Sequence, residues 1–383
     1  MMKKYLISYG IFLFIFSMIG MVPIWFLYHS GEYTPLDQVV KKQRKFVGKS
    51  IFGTTTNPNT FAYKRILLNN SAPKIIALGS SRVMQFRQHM FTKEFVNVGG
   101  AMGSINEGIN LLPDIINLNP EIVLLGIDVW WFNDRYQKPA VKYKEPKNVN
   151  SFPSTAHVIM VFNWLFEGKI TYKEFFKSLT NNISDIGVAG QEKDGFGPDG
   201  SYYYTRTITG KEKHFDRLFK GTFERIEHGN NRFEYNSSAN KQHIDNFILL
   251  LNELLKNNIN VVVFFPPFAK AVNERLHDMG DKYNYINDIK LKLNERKIVF
   301  YDYSNAYKVG SSDCEFIDGF HGGEITYMRI LSDLVEKVPS LNEKVDKPFL
   351  MASIKKYTGK VFVQDTEVSN KIEVDFLGLG CNK

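Results

Sequence analysis

Residues 121–127 read EIVLLGI, a run with no polar side chain in its interior. A strand with one wet face alternates apolar and polar residues. An unbroken apolar run of this length points to a strand covered on both faces, as in a parallel sheet flanked by helices. Similar short runs recur at Ile75–Leu78, 95–98, 261–265 and 298–301. Between them apolar residues fall at helical spacing. Residues 105–118 carry Ile105, Ile109, Leu112, Ile115 and Ile116 before Pro120, and residues 243–256 carry Ile244, Phe247, Leu251 and Leu254. Residues 81–90, 285–295 and 324–335 also read as helices. Strands alternating with helices predict an α/β fold, a three-layer α/β/α sandwich on a parallel sheet. Ligands of such sheets bind beyond the carboxyl ends of the strands, so the loops after Leu78, Val98, Ile127, Phe265 and Tyr301 are where a site is expected.

The alternation is interrupted. Residues 129–240 hold aromatic clusters (VWWF, Tyr202 to Tyr204) and glycine-rich turns, and a structureless loop of that length is improbable in a compact domain. A large folded insertion or cap after the third strand is expected. The chain of 383 residues then divides into residues 1–30, a linker at 31–70, the main domain at 71–340 and an extension at 341–383. The extension has β-like runs at 360–363 and 372–377. Two cysteines exclude a disulfide scaffold or a thiolate metal cluster. Cys314 and Cys381 are left as a bridge outside the cytoplasm or as a buried thiol and its distant counterpart.

Residues 5–28 carry no charge. As a helix they extend about 36 Å, enough for the ~30 Å hydrocarbon layer of a bilayer. Trp25, Tyr5 and Tyr28 sit where an aromatic belt lies. A cleaved leader has a shorter apolar core and a small-residue cleavage site, and YHSGEYTPLDQ is a poor one. The segment therefore reads as an uncleaved, single-pass N-terminal transmembrane helix. Lys3 and Lys4 precede it and Lys41, Lys42, Arg44, Lys45 and Lys49 follow it, so the charges do not decide orientation alone. Long downstream domains translocate largely regardless of charge, which places the bulk of the chain outside the cytoplasm, in a bacterial periplasm or on the extracellular face. The net charge of +8 suggests an acidic partner. Nucleic acid is set aside, because the basic residues form no recognisable binding module.

Two short motifs carry chemistry. The first run ends in Gly79-Ser80-Ser81-Arg82, which puts a serine hydroxyl at a strand-to-helix turn. Near the carboxyl end, Phe316-Ile-Asp-Gly-Phe-His-Gly-Gly323 brings Asp318 and His321 within one turn of each other. An Asp–His pair is what a serine nucleophile requires: the imidazole takes the hydroxyl proton and the carboxylate holds the tautomer. Each motif alone also fits a plain helix cap. No further ligands accompany them for a metal, and no cofactor motif is present.

Taken together, G-S-S after the first strand, a glycine-rich turn after the second, a G-x-D turn after the third and D-x-x-H before the last helix resemble the SGNH (GDSL-like) hydrolases. The resemblance covers residues 74–128 and 241–337. It implies Ser81 as nucleophile with Asp318 and His321 as its partners. It also implies an oxyanion hole from the N–H groups of Ser81 and of Gly103, with Gly100 in reserve. At the family's asparagine position of the oxyanion hole stands Asp128, an acceptor when ionised, so either Asp128 is protonated and donates, or it orients another group, or Asn133 supplies the amide. Arg82, Trp130 and Trp131 are the substrate-binding candidates. With the amino-terminal anchor, the chain is similar to the envelope branch of the family, exemplified by alginate-acetylation and teichoic-acid D-alanylation proteins. That similarity implies O-acyl transfer, acetyl above all, to a cell-envelope polysaccharide beside a multi-spanning O-acyltransferase. The alternatives are an extracytoplasmic carbohydrate esterase or lipase-like hydrolase with the same three residues, and a scaffold without turnover.

Overall fold

The computed structural model describes residues 2–45, 50–55, 59–136, 153–168, 170–173, 175–176, 184–212, 216–364 and 372–383, with the side chains at 2, 3, 13 and 15–19 excepted. Lys49 lies outside the described residues. The chain divides into two compact units, one of Met1–Asn59 with Lys144–Pro198, the other of Thr60–Tyr143 with Asp199–Lys383. The 129–240 stretch is therefore shared between the units rather than forming one cap.

In the first unit lie α1 (Met2–His29), α2 (Leu36–Lys45) and, from the second segment, the helix Thr155–Phe166. Its core joins Phe26, Leu27 and Tyr33 to Val161, Trp164, Ile170, Phe175 and Val188. Among the described residues no helix is long and apolar enough to cross a membrane. The expected transmembrane span is thus not supported by the fold, the side chains in the middle of its apolar run being among those not described.

The second unit carries the sheet. After α3 (Thr60–Asn69) come β1 (Ile75–Leu78), β2 (Phe95–Asn97), α4 (Ile105–Leu118) and β3 (Ile122–Gly126). With the helix Thr155–Phe166 counted as α5, the unit resumes with α6 (Lys220–His228), α7 (Lys241–Lys256), β4 (Asn260–Phe265), α8 (Lys270–Asp278), α9 (Tyr285–Glu295), β5 (Tyr301–Asp302), α10 (Glu324–Lys337) and α11 (Lys347–Tyr357). The strands form one parallel sheet in the order β2-β1-β3-β4-β5. The expected parallel α/β fold is present, and its helices are consistent with three layers. Ile75, Ala77, Ile122, Leu124, Val262 and Phe264 face one core with α10 and α11. By the two-residue period of a strand, the alternate residues face the other side. Strand order reverses between β1 and β3, and at such a reversal the loops diverge and open a crevice.

Two local expectations fail for physical reasons. Residues 81–90 are two 3-10 turns, Ser81–Val83 and Gln88–Met90, rather than a helix. The carbonyls of Val83 and Phe86 accept from the Asn97 amide, each at 2.9 Å, and so are not left to a helical ladder. In the extension, residues 360–363 and 372–377 are not strands. Instead α11 packs into the core through Leu350 and Tyr357, and the Val361 N–H donates to Glu373. Of the two readings left for the cysteines, the bridge is formed: Cys314 and Cys381 are disulfide-bonded, with Cα atoms 5.7 Å apart.

Lys64 of α3 is fully buried, and its ammonium donates to the carbonyls of Asn97 (2.9 Å) and Gly200. Burial pulls its pKa down from the ordinary 10.5 to about 7, against the opposing charge of Asp199. Between those two pH values the unfolded chain holds the proton more tightly than the native one, so raising the pH favours the fold. Urea unfolding of the wild type and Lys64→Met across pH 7 to 10 is expected to show the wild type gaining stability relative to the variant as pH rises.

Candidate active site

The two sequence motifs meet at the carboxyl edge of the sheet, in the second unit. Ser81 follows β1 by three residues, and its hydroxyl lies 2.8 Å from His321 Nε2. On the far side of the ring, His321 Nδ1 lies 2.7 Å from Asp318 Oδ2. The other Asp318 oxygen accepts the N–H groups of Phe320 (2.9 Å) and His321 (2.8 Å). Burial raises the Asp318 carboxyl, but the His321 interaction and these hydrogen bonds outweigh it and hold the pKa below the ordinary value. Asp318 therefore stays ionised, and the His321 side chain, 12% exposed, remains reachable from outside. This is a hydroxyl–imidazole–carboxylate relay at hydrogen-bond distances, able to deprotonate the serine and stabilise the resulting imidazolium.

The turn carrying Asp318 and His321 is held from beneath. Ile317 N–H donates to the His321 carbonyl at 2.9 Å, closing the turn. Gly319 N–H donates to buried Asp216 at 2.8 Å, and Asp216 also accepts the N–H and hydroxyl of Thr222, each at 2.7 Å. A Cβ on Gly319 would lie 2.8 Å from three Thr222 atoms, so only glycine fits there. Just before the turn, buried Glu315 takes both arms of Arg329 at 2.9 and 3.0 Å, and its carbonyl accepts from Gly323. No sequence motif marks Asp216, whose partner Gly319 is 103 residues away, or Glu315, whose partners include Arg329 and the Gly359 N–H.

The oxyanion candidates fare unequally. The Ser81 N–H has no acceptor among the described residues. The Gly103 N–H, by contrast, donates to Glu107 at 2.7 Å, in a capping arrangement where Ser104 accepts from the Glu107 N–H. Gly100, the reserve, donates to the Gly79 carbonyl. Asn133 does not supply the missing amide: its Nδ2 donates to the Glu234 carbonyl at 2.6 Å and its Oδ1 accepts from Arg135 and Asn236. Asp128 is buried against Arg82, with Oδ1 3.1 Å from the guanidinium. Burial pushes the Asp128 carboxyl up, and the adjacent guanidinium opposes it.

Arg82 is not the substrate contact that its place in the sequence suggests. It is 1% exposed, so it cannot be a surface contact for substrate. Its guanidinium donates to the carbonyls of Phe320 (2.9 Å), Pro266 (2.8 Å) and Pro267 (2.7 Å) and to Asp128. It thereby joins the loops after β1, β3 and β4 to the His321 turn. It lies 4.3 Å from the Phe268 ring centroid and 5.2 Å from that of Trp130. Trp130 and Trp131 are also buried, at 2% and 3% exposure, and are packing residues rather than platforms for a sugar ring. Gly126 is required because a Cβ would stand 2.4 Å from Val83 Cγ1, which holds the β1 and β3 loops in contact.

Removing one partner of a buried pair strands the other as an unpaired charge, at a cost of about 3–5 kcal/mol, whereas replacing both with apolar groups costs far less. Arg82→Met is therefore expected to lower unfolding free energy by that order, and Arg82→Met with Asp128→Leu to recover part of it, in a denaturant titration of all three proteins. Comparison with protein-family models, with curated proteins and with solved structures finds no match to this chain, so the chemistry of the site rests on its own geometry.

Proposed function

We propose that the chain is a serine-dependent enzyme of SGNH type that transfers an O-acyl group, acetyl foremost, to a hydroxyl of a cell-envelope polysaccharide. The observation that carries this reading is the unbroken relay from Ser81 through His321 to ionised Asp318. The Ser81 hydroxyl, losing its proton to His321, attacks the acyl carbonyl and expels the donor, whose leaving oxygen takes that proton. His321 then accepts the proton of the acceptor hydroxyl, which attacks the acyl-serine and regenerates Ser81. The Ser81 N–H supports the developing oxyanion, while the Gly103 N–H is available only when Glu107 releases it. Each missing donor costs about 2.7–4 kcal/mol of transition-state stabilisation in enzymes of this kind, which implies slow turnover. The partial exposure of His321 admits water as well, which favours a second reading as an esterase using the same residues.

The proposed setting is the outer face of a membrane. The Cys314–Cys381 bridge supports an oxidising compartment. Apolar side chains exposed along α1 (Tyr5, Leu6, Ile7, Ile11 and Phe12) support attachment of that helix to lipid. A multi-spanning O-acyltransferase in that membrane would be the source of the acyl group.

Ser81→Ala is expected to reduce cleavage of an acetyl-ester chromogen by roughly 10³-fold or more, and Asp318→Asn by a comparable factor with the fold retained. Equal rates for wild type and Ser81→Ala would sink the assignment. Adding envelope glycans to the wild type and weighing them by mass spectrometry distinguishes transfer, which adds an acyl mass to the glycan, from hydrolysis, which does not.

A further inference from the structure

We propose that Arg232, with Arg225 beside it, binds an anionic group of the acceptor, a carboxylate or a phosphate, next to His321. The inference rests on the acyl-transfer reading and names the class of acceptor. The ring of Phe320 stacks near His321, centroids 4.4 Å apart, and meets Trp130 at 6.2 Å and Phe233 at 5.9 Å to form an aromatic wall beside the relay. Two guanidinium groups lie against that wall. The Arg232 Cζ is 5.6 Å from the Phe320 centroid and 5.8 Å from that of Trp130, and the Arg225 Cζ is 5.8 Å from Phe320. A guanidinium laid on a ring still points its N–H edge outward, where it can grip a carboxylate or phosphate in a fork.

Three observations separate Arg232 from an ordinary packed arginine. It is partly exposed, unlike Arg82, which is sealed behind the same wall. It makes no salt bridge among the described residues, although its charge acts on Asp128: Arg82 holds one oxygen of that carboxylate, and Glu234 Oε1 accepts the Arg232 backbone N–H (3.1 Å). Its backbone is also held where side chains rarely go, with φ of 51° at Asn231 and 86° at Arg232. Such strain collects where a group must be held in place for a task. The Arg232 side chain also reaches the Tyr136 hydroxyl, which donates to the Gly103 carbonyl at 3.4 Å, so the cation is tied to the loop after β2. A neutral ester offers this cation nothing, whereas an acidic glycan does.

The test compares wild type, Arg232→Gln and Arg232→Lys in the full chain on three acetyl esters, one neutral, one bearing a carboxylate and one bearing a phosphate. The readout is the ratio of kcat/KM for each anionic ester to that for the neutral one. Arg232→Gln is expected to lower this ratio about ten- to hundredfold, chiefly through KM, with Arg232→Lys intermediate. The arm that falls further identifies the carboxylate or the phosphate as the natural group. A loss of equal proportion on all three esters, or no change on any, overturns the proposal. Calorimetric binding of the anionic esters to Ser81→Ala, with and without Arg232→Gln, keeps this outcome apart from failure of the acyl-transfer reading.

Discussion

One buried guanidinium ties the carboxyl edge of the sheet together. Arg82 leaves β1 beside Ser81 and donates to backbone carbonyls at Pro266, Pro267 and Phe320 and to the carboxylate of Asp128. Arginine suits this place because its planar fork serves several acceptors at once and keeps its charge when buried. The cost of taking that charge out of water is offset only by the full set of partners, so the four loops are either all in position or none is. Ser81 and His321, next to Arg82 and Phe320 in the chain, inherit their separation from this junction.

The acidic groups form a graded series behind the relay. Asp318 faces the imidazole and is kept ionised by backbone N–H groups. Asp216 holds the turn from below, its carboxyl raised by burial and by the charge of Asp318 against the hydrogen bonds it accepts. Glu315 anchors the approach to the turn through Arg329. None of the supporting carboxylates touches the serine. Their work is to fix backbone, which is how a tripeptide spacing as short as Asp318 to His321 becomes a defined geometry.

Much of the framework was legible in the chain. The runs at Ile75–Leu78 and 121–127 marked their strands because full burial on both faces removes polar residues, and the spacing of Ile105 to Ile115 marked α4. Ser81, Asp318 and His321 were legible because a hydroxyl–imidazole–carboxylate set needs particular residues next to particular turns, and the structure brings these three within hydrogen-bond reach. What stayed hidden was decided by distant partners. The segment after Ser81 has helical spacing, yet Asn97 takes its carbonyls. Arg82 and Trp130 look like surface contacts in sequence and are sealed in the structure. The role proposed for Arg232 has no local signal, since it rests on a left-handed backbone and an aromatic wall assembled from three separate segments.

The hydrogen bond between Ser81 and His321 joins residues 240 positions apart. Closing so long a loop has no local reward, and its entropy is recovered only when the whole sheet and its flanking helices are in place. The Ser81–His321 contact therefore belongs to the assembled sheet and not to any local piece of the chain. The chemistry proposed for Ser81 waits on assembly of the whole sheet, since no local piece of the chain places an imidazole beside this hydroxyl.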